Sequence, residues 1–401
     1  MRRYRIGIIG LGARAESFAR QLSAGTPRAE LAGLCDIDAD RLQKFCEYCG
    51  IRSTPCFTKP EEFFARSDMD AVIITTPDFT HRDVALQAVA AKKHFYLEKP
   101  MATSVEACRD IVRAARTSGA RSMMGFNLRA MSLYRKLKAV VGTGVLGQIV
   151  HIEGIEQLSA AHSASFMRRF HRRRSQSGGL LNHKCSHDLD IMQWLIGHQH
   201  RLRRVAAFGG TNVFRPEKAP ARTCRECPPA AAGGCRYRDR AGFVFPVSAA
   251  LPMHKTQQTE TYGGDLCVYN DDKDIVDNMT TIFEWDSGIR GNFNLQLFQA
   301  EGLRVTKIWG ENALVESRGG RITVTESASG DVQEITPRIA AGGHGGSDPL
   351  MLDLFIDALD APEPSTRSLE EGLAAAINAL KAEEAMLSGR VVEVDPGLYE
   401  V

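Results

Sequence analysis

The sequence predicts an α/β protein in two parts. A doubly wound parallel sheet of the Rossmann type occupies residues 1–124, and an α+β part built on a large, mostly antiparallel open sheet occupies 125–401. Three observations predict this. Apolar runs alternate with helical periodicity as far as residue 125. The first two runs end in Gly10-Leu11-Gly12-Ala13-Arg14-Ala15 and in Asp36. Beyond residue 273, extended segments follow one another across tight turns such as Asp286-Ser287-Gly288.

The elements follow in order. Residues 4–9 contain Ile6-Gly7-Ile8-Ile9, nearly continuous in the way a strand buried on both faces requires. Further strands are predicted over 30–35, 71–75, 93–97 and 121–125. Helical spacing covers Ala13–Leu22, Asp40–Cys49, Pro60–Arg66, His81–Ala91 and Ser104–Ser118. A helix over Leu133–Val141, the alternating Ile149–Gln157 and a helix over Lys184–Ile196 come next, then a loop-rich stretch to about 273. Six extended segments follow, Ile275–Trp285, Ile289–Phe298, Leu303–Trp309, Ala313–Glu316, Arg321–Glu326 and Val332–Ile335. Helices near Pro349–Leu359 and Leu369–Ser388, the latter stopped by Gly389, complete the chain.

The glycine turn has a chemical reading. Gly10 permits a tight turn, Gly12 lets a pyrophosphate approach the backbone at a helix N-terminus, and Ala15 allows close helix–strand packing. A carboxylate at the end of the second strand, Asp36, can accept both ribose hydroxyls of NAD. Glycines also serve ordinary turns, but strand, turn, helix and acidic strand end in sequence favour a dinucleotide. The same carboxylate would repel a 2′-phosphate, with Arg41 a partial offset, so NAD is expected over NADP.

Bulk composition fits a soluble enzyme. Fifty basic and 48 acidic residues leave a net charge of +2, which argues for neither nucleic acid nor an anionic membrane as partner. No run approaches a membrane span. The apolar run after Met1-Arg2-Arg3 belongs to the first strand rather than to a secretion signal. A cytoplasmic location is expected, with the ten cysteines reduced.

Three further motifs add chemistry. Thr75-Thr76-Pro77-Asp78-Phe79-Thr80-His81 and Glu98-Lys99-Pro100 stand at carboxyl ends of predicted strands, where ligands of an open α/β sheet bind. A lysine at a strand end is ordinarily a surface cation, but here Lys99 would reach nicotinamide and substrate together. The third motif is Gly178-Gly179-Leu180-Leu181-Asn182-His183-Lys184-Cys185-Ser186-His187-Asp188-Leu189-Asp190. On a helix, His183, His187 and Asp190 share one face, and the glycines bring the backbone close to something. The candidate cofactor contacts are therefore Gly10, Gly12, Ala13, Arg14, Asp36, Thr75, Thr76, Pro77, His81, Glu98 and Lys99.

Taken together, the glycine turn, the TP-x-x-x-H loop, the EKP turn and the GG-L-L…H-x-x-D helix resemble the Gfo/Idh/MocA family of glucose–fructose oxidoreductase and inositol dehydrogenase. The resemblance implies an N-terminal Rossmann domain, a C-terminal α/β domain whose open sheet supports substrate binding, and a homo-oligomer, dimer or tetramer. It also implies a lysine and a histidine, matching Lys99 and His187, at the reacting carbon. One departure is His183, where the family commonly has an acid. The reaction expected is hydride transfer between NAD and a secondary hydroxyl of a sugar, cyclitol or sugar acid. His187 is the candidate base, Lys99 the group stabilising alkoxide, and His183 a relay. Asp190 either orients His187 or is a plain helix carboxylate. The late loop Gly342-Gly343-His344-Gly345-Gly346 resembles one that nears the substrate, which makes His344 a candidate substrate contact beside Lys99, His183 and His187.

Two rival activities share the first chemical step or none of it. A glycosidase would use NAD to oxidise, eliminate and re-reduce, acting in one version on an anionic glycoside. A regulator that only senses NAD is disfavoured by the presence of both Lys99 and His187. Arg168-Arg169-Phe170-His171-Arg172-Arg173-Arg174 is read as a solvated charged face, with an anionic substrate as the alternative. Cys46 and Cys49 read as packing. Cys224, Cys227 and Cys235, with Cys267, suit either a structural zinc or ordinary reduced thiols.

Overall fold

The computed structural model describes residues 2–66, 68–238, 266–338 and 343–401, except the side chains of Gly343 and His344. Two sheets organise it. The first has six parallel strands in the order β3-β2-β1-β4-β5-β6. They span Tyr4–Ile9 (β1), Ala29–Cys35 (β2), Cys56–Phe57 (β3), Ala71–Ile74 (β4), His94–Leu97 (β5) and Ser122–Met124 (β6). β1 pairs with β2 on one side and β4 on the other. The order therefore reverses at β1/β4, and the loops after these two strands border one crevice. Ile6, Ile8, Ile73 and Ile74 have no exposed surface, as their continuous apolar pattern predicts.

The second sheet has nine strands in the order β14-β13-β12-β11-β7-β10-β9-β8-β15. Its strands are Ile149–Ser159 (β7), Leu202–Gly210 (β8), Asn278–Trp285 (β9), Arg290–Gln299 (β10), Leu303–Gly310 (β11), Ala313–Arg318 (β12), Arg321–Glu326 (β13), Val332–Ile335 (β14) and Val392–Glu393 (β15). β7 pairs antiparallel with β11 and parallel with β10. The remaining neighbours are antiparallel. One face packs under the helices Leu180–Ile196 and Arg367–Ser388, where the Gln193 amide oxygen accepts from Trp285 Nε1 at 3.0 Å and Asn378 Nδ2 at 3.1 Å. The other face leaves Val150, Phe208 and Ile282 exposed.

Two elements fall where loops were expected. β8 carries Arg203 and Arg204 beside Ala-Ala-Phe-Gly-Gly, which hides its alternation. The Ala160–Arg168 helix is buried from Ser163 through Arg168, so it shows no amphipathic stripe. The long helix begins at Leu180, four residues before its predicted start, and so includes His183.

The chain's late helix Leu350–Asp360 returns to the first sheet. Met351, Leu352, Phe355, Ile356 and Leu359, at helical spacing, share a core with Tyr4, Ile6, Phe18 and Tyr96. The Tyr4 hydroxyl donates to the Leu359 carbonyl at 3.1 Å and Asp360 Oδ1 at 2.8 Å. The Phe355 ring meets Tyr96 edge-on, with 5.9 Å between centroids. Among the described residues no helix is long and apolar enough to cross a membrane. Phe355→Ala is expected to lower stability by about 3–5 kcal/mol, the usual cost of emptying a buried aromatic site. Chemical denaturation measures this, and an unchanged midpoint would show that the helix does not hold the first core.

Candidate active site

At the crevice, the backbone around Gly10 leaves no space. With φ +88°, a Cβ there would lie 2.6 Å from the Thr76 backbone, and the Thr75 hydroxyl donates to the Gly10 carbonyl at 2.6 Å. Gly12 is the opposite case. Its φ of −98° suits any residue, and a Cβ would meet no atom within 4 Å. Packing does not account for this glycine, whereas a ligand filling the space does. Gly12 also opens the Ala13–Ala24 helix, whose N-terminus no side chain caps. Its free N–H groups suit a pyrophosphate. The Thr76 hydroxyl, buried nearby with no protein partner, is a further polar group suited to a ligand. Asp36 is 8% exposed at the end of β2, accepting from Leu11 N at 2.8 Å and Asp38 N at 3.1 Å. Arg41 lies 3.9 Å from it and donates to the Leu11 carbonyl at 2.9 Å.

Several of the residues expected at the cofactor also tie the loops around the crevice together. His81 is buried, with its two ring nitrogens each 2.8 Å from a backbone carbonyl, of Pro100 and Thr76. It ties the loop after β4 to the turn after β5. Arg14 bonds Glu98 at 2.9 Å and Asp348 at 3.0 Å, and Glu98 also accepts from the Tyr96 hydroxyl. Pro77 precedes the short Asp78–Thr80 turn. Ala13 begins the helix.

Lys99 reaches across to the second half of the chain. Its Nζ donates to the His183 carbonyl at 2.8 Å, in the first turns of the Leu180–Ile196 helix. Burial lowers its pKa to about 8, against the opposing pull of Asp78 and Glu98. His187, 5% exposed, lies one turn further along on the same face. The His183 ring meets Phe166, Phe170 and His171, with centroids 5.5, 5.8 and 4.5 Å away, and its Nδ1 bonds the Asp78 carboxylate. Sequence reasoning quoted Asp78 within its loop and gave it no role. The signal was present, since Asp78 is a carboxylate at a strand end facing a position where the resemblance leads one to expect an acid.

Two family descriptions match the chain. Residues 4–126 match the Gfo/Idh/MocA oxidoreductase family's NAD-binding Rossmann fold, and residues 138–394 its C-terminal alpha/beta domain. The chain belongs to the Gfo/Idh/MocA oxidoreductase family. It is therefore an NAD-binding oxidoreductase. It is similar to YteT of Bacillus subtilis, 27% identical over 363 residues, covering 82% of each chain. It is also 32% identical over 214 residues to the Bacillus subtilis glucose-6-phosphate 3-dehydrogenase, covering 53% of this chain and 59% of that protein. Levoglucosan dehydrogenase, solved in complex with NADH and L-sorbose, shares the fold. Its TM-score is 0.73 at 16% identity, covering 98% of this chain and all of that one.

The structure corrects other expectations about this Gfo/Idh/MocA chain. Asp190 does not orient His187, because both its oxygens bond the Arg129 guanidinium, Oδ2 at 2.8 Å and Oδ1 at 2.5 Å. Gly179, at φ +101°, does bring the backbone close to another group, a side chain of the late helix. Its missing Cβ makes room for Glu383, which accepts from Leu181 N at 3.0 Å and caps the long helix. The arginine run is not a solvated face. Arg168 and Arg172 are almost wholly buried, and Arg172, Arg173 and Arg174 bond Asp272 and Asp274. Of the two readings of the second cysteine group, structural zinc finds no support. Cys224, Cys227, Cys235 and Cys267 line one cavity of about 250 Å³. Among the described residues, however, no three Cys, His, Asp or Glu are placed to hold a metal ion. The Cys224 sulfur instead accepts from Arg168 at 3.1 Å. Cys46 and Cys49 do pack as expected, Cys49 within the first core and Cys46 against it, and the Cys46 and Cys56 sulfurs lie 3.7 Å apart. The His344 side chain lies outside the described residues.

The carboxylate of Asp36 generates a cofactor prediction. NADP should bind at least about tenfold more weakly than NAD, a difference of ~1.4 kcal/mol, in a direct titration. Equal or tighter NADP binding would refute the role given to Asp36.

Proposed function

We propose that the chain oxidises a secondary hydroxyl of a neutral sugar or cyclitol, with NAD as hydride acceptor, and catalyses the reverse reduction. The observation that carries this reading is the buried bond from Lys99 to the His183 carbonyl. It sets an ammonium from the carboxyl edge of the parallel sheet against a helix turn bearing two histidines. Gly10, Gly12, Thr76 and Asp36 would hold the nucleotide in the crevice, and bound there NAD supplies the hydride acceptor. Lys99 then lies where it can stabilise charge developing on the substrate oxygen. His183 or His187, one turn apart on the same helix face, takes the hydroxyl proton. A Lys99 pKa near 8 keeps the cation available at neutral pH and removes it as pH rises. Oxidation should therefore lose rate on the alkaline side.

A neutral substrate is favoured over a sugar acid because of where the nearby guanidinium groups go. Arg168 and Arg172 to Arg174 are bonded to backbone carbonyls, to Cys224 and to Asp272 and Asp274. We also infer a homo-oligomer, formed by a second copy covering the open face of the nine-stranded sheet. Phe208 there is 74% exposed and Ile282 56%, on adjacent strands.

Two tests follow. With NAD, the enzyme should produce NADH from at least one neutral sugar or cyclitol in a panel that also contains sugar acids and glycosides. Lys99→Ala should lower kcat at least about 100-fold while the NAD Kd stays within about threefold. Aglycone release without net NADH would replace this reading with a redox glycosidase, and parental turnover by Lys99→Ala would remove the lysine from the mechanism. In light scattering, the native mass should be a dimer or tetramer, and Phe208→Glu with Ile282→Glu should reduce it. A monomeric native protein would refute the oligomer.

A further inference from the structure

The loop after β4 carries a carboxylate from the parallel sheet to the substrate-side helix. Asp78 is 4% exposed, and its Oδ2 bonds His183 Nδ1. Phe166, Phe170 and His171 wall the imidazole, while the His183 side chain keeps 13% of its surface exposed. Among the described residues no hydrogen bond to His183 Nε2 is formed. A carboxylate accepts and does not donate, so a neutral ring facing one through Nδ1 places its hydrogen on Nδ1 and its lone pair on Nε2.

We propose that Asp78 is the positioning residue of this site, fixing His183 in the Nδ1–H tautomer so that Nε2 is presented to the substrate hydroxyl as a proton acceptor. The tautomer stands on the structure alone, and its use in catalysis rests on the oxidoreductase reading above. In the oxidation, the substrate O–H bond breaks and an N–H bond forms at Nε2. The electron pair of the carbinol C–H bond leaves with its hydrogen to the bound nicotinamide, and a carbonyl remains. The ring becomes an imidazolium in a buried place, and the Asp78 anion compensates it. The surroundings make that compensation necessary. Lys99, Lys184 and His81 face His183 as cations or potential cations, with His171 against its ring, and burial pushes its pKa well below the ordinary value. His81, Lys99 and Glu98 surround Asp78, whose carboxyl burial raises to about 7.

The test uses the full chain without substrate first. Nitrogen-15 NMR of histidine-labelled protein, with His183→Gln to assign the signal, should show the Nδ1–H tautomer at His183 in the native chain. That tautomer should be lost in Asp78→Asn. A native Nε2–H tautomer overturns the proposal even if the variant does not fold. In turnover with NAD, Asp78→Asn should lower kcat about 100-fold or more, with KM and NAD Kd within about threefold. Removing the anion should also move the rising limb of the oxidation profile to lower pH. Asp78→Glu should recover part of the rate. If Asp78→Asn keeps native kcat and pH profile on an oxidised substrate, the positioning role fails and the oxidoreductase reading survives. If the tautomer depends on Asp78 and no polyol is oxidised, the pairing stands and the substrate reading falls.

Discussion

Everything proposed for this site depends on the seam between the carboxyl edge of the parallel sheet and the first turns of the Leu180–Ile196 helix. Lys99 bonds the His183 carbonyl there, Asp78 bonds the His183 ring, and Asn182 Nδ2 donates to the Ala102 carbonyl at 3.0 Å. From the other side, Glu383 of the Arg367–Ser388 helix caps the same helix at Leu181. Four connections from three directions therefore fix two or three residues of backbone. This matters because hydride transfer tolerates little misplacement between nucleotide and substrate. The parallel sheet and the long helix each contribute part of the site, and the seam joins them.

Charge along that helix is partitioned by face. His183 looks toward the parallel sheet, with His187 one turn along on the same face. Lys184 and Asp188 look toward the nine-stranded sheet, where Lys184 lies 3.1 Å from Glu156 and Arg304 bridges Glu156 at 2.5 Å and Asp188 at 2.8 Å. Asp190 is held by Arg129, which also pairs with Glu371. Each cation is matched by a carboxylate, as burial demands. Burial still raises Asp188 to about 7 and Asp190 to about 6. The histidine face is where pairing is thinnest, and Asp78 is the carboxylate that enters it.

What the sequence made legible follows from how local each signal is. Ile6 to Ile9 and Ala71 to Ile74 announce buried parallel strands because their burial pattern is continuous and needs no partner to interpret. Gly12 is legible as a place with room for a ligand, because a Cβ there would meet no atom within 4 Å. Signals that depend on a distant partner were misread. Gly178-Gly179 did indicate close approach, but the approaching group is Glu383, some two hundred positions later. Asp78 and His183 lie 105 residues apart, so each looked unremarkable alone. β8 has charges on two successive residues, and the Ala160–Arg168 helix has no polar face to give it a period.

The arginine run and the second cysteine group share one physical setting. The described parts of the stretch from Phe214 to Asp277 are mostly irregular and have few ladder bonds to hold them. Polar side chains do that work instead. Asp277, wholly buried, accepts from the backbone of Asn212 at 3.1 Å, Val213 at 2.7 Å and Phe214 at 2.8 Å. Asn270 Nδ2 donates to the Met167 and Cys267 carbonyls at 2.9 and 2.6 Å. Arg168 donates to the Leu266 and Tyr237 carbonyls at 2.5 and 3.1 Å, and Arg172 to the Asp272 carbonyl at 2.8 Å. Irregular backbone leaves carbonyls without ladder partners, and a guanidinium has five donors in a rigid fork with which to satisfy them. An arginine run next to a loop-rich segment is then the means by which that segment is held. Through these bonds Arg168 and Arg172 hold the loop that carries the cysteines.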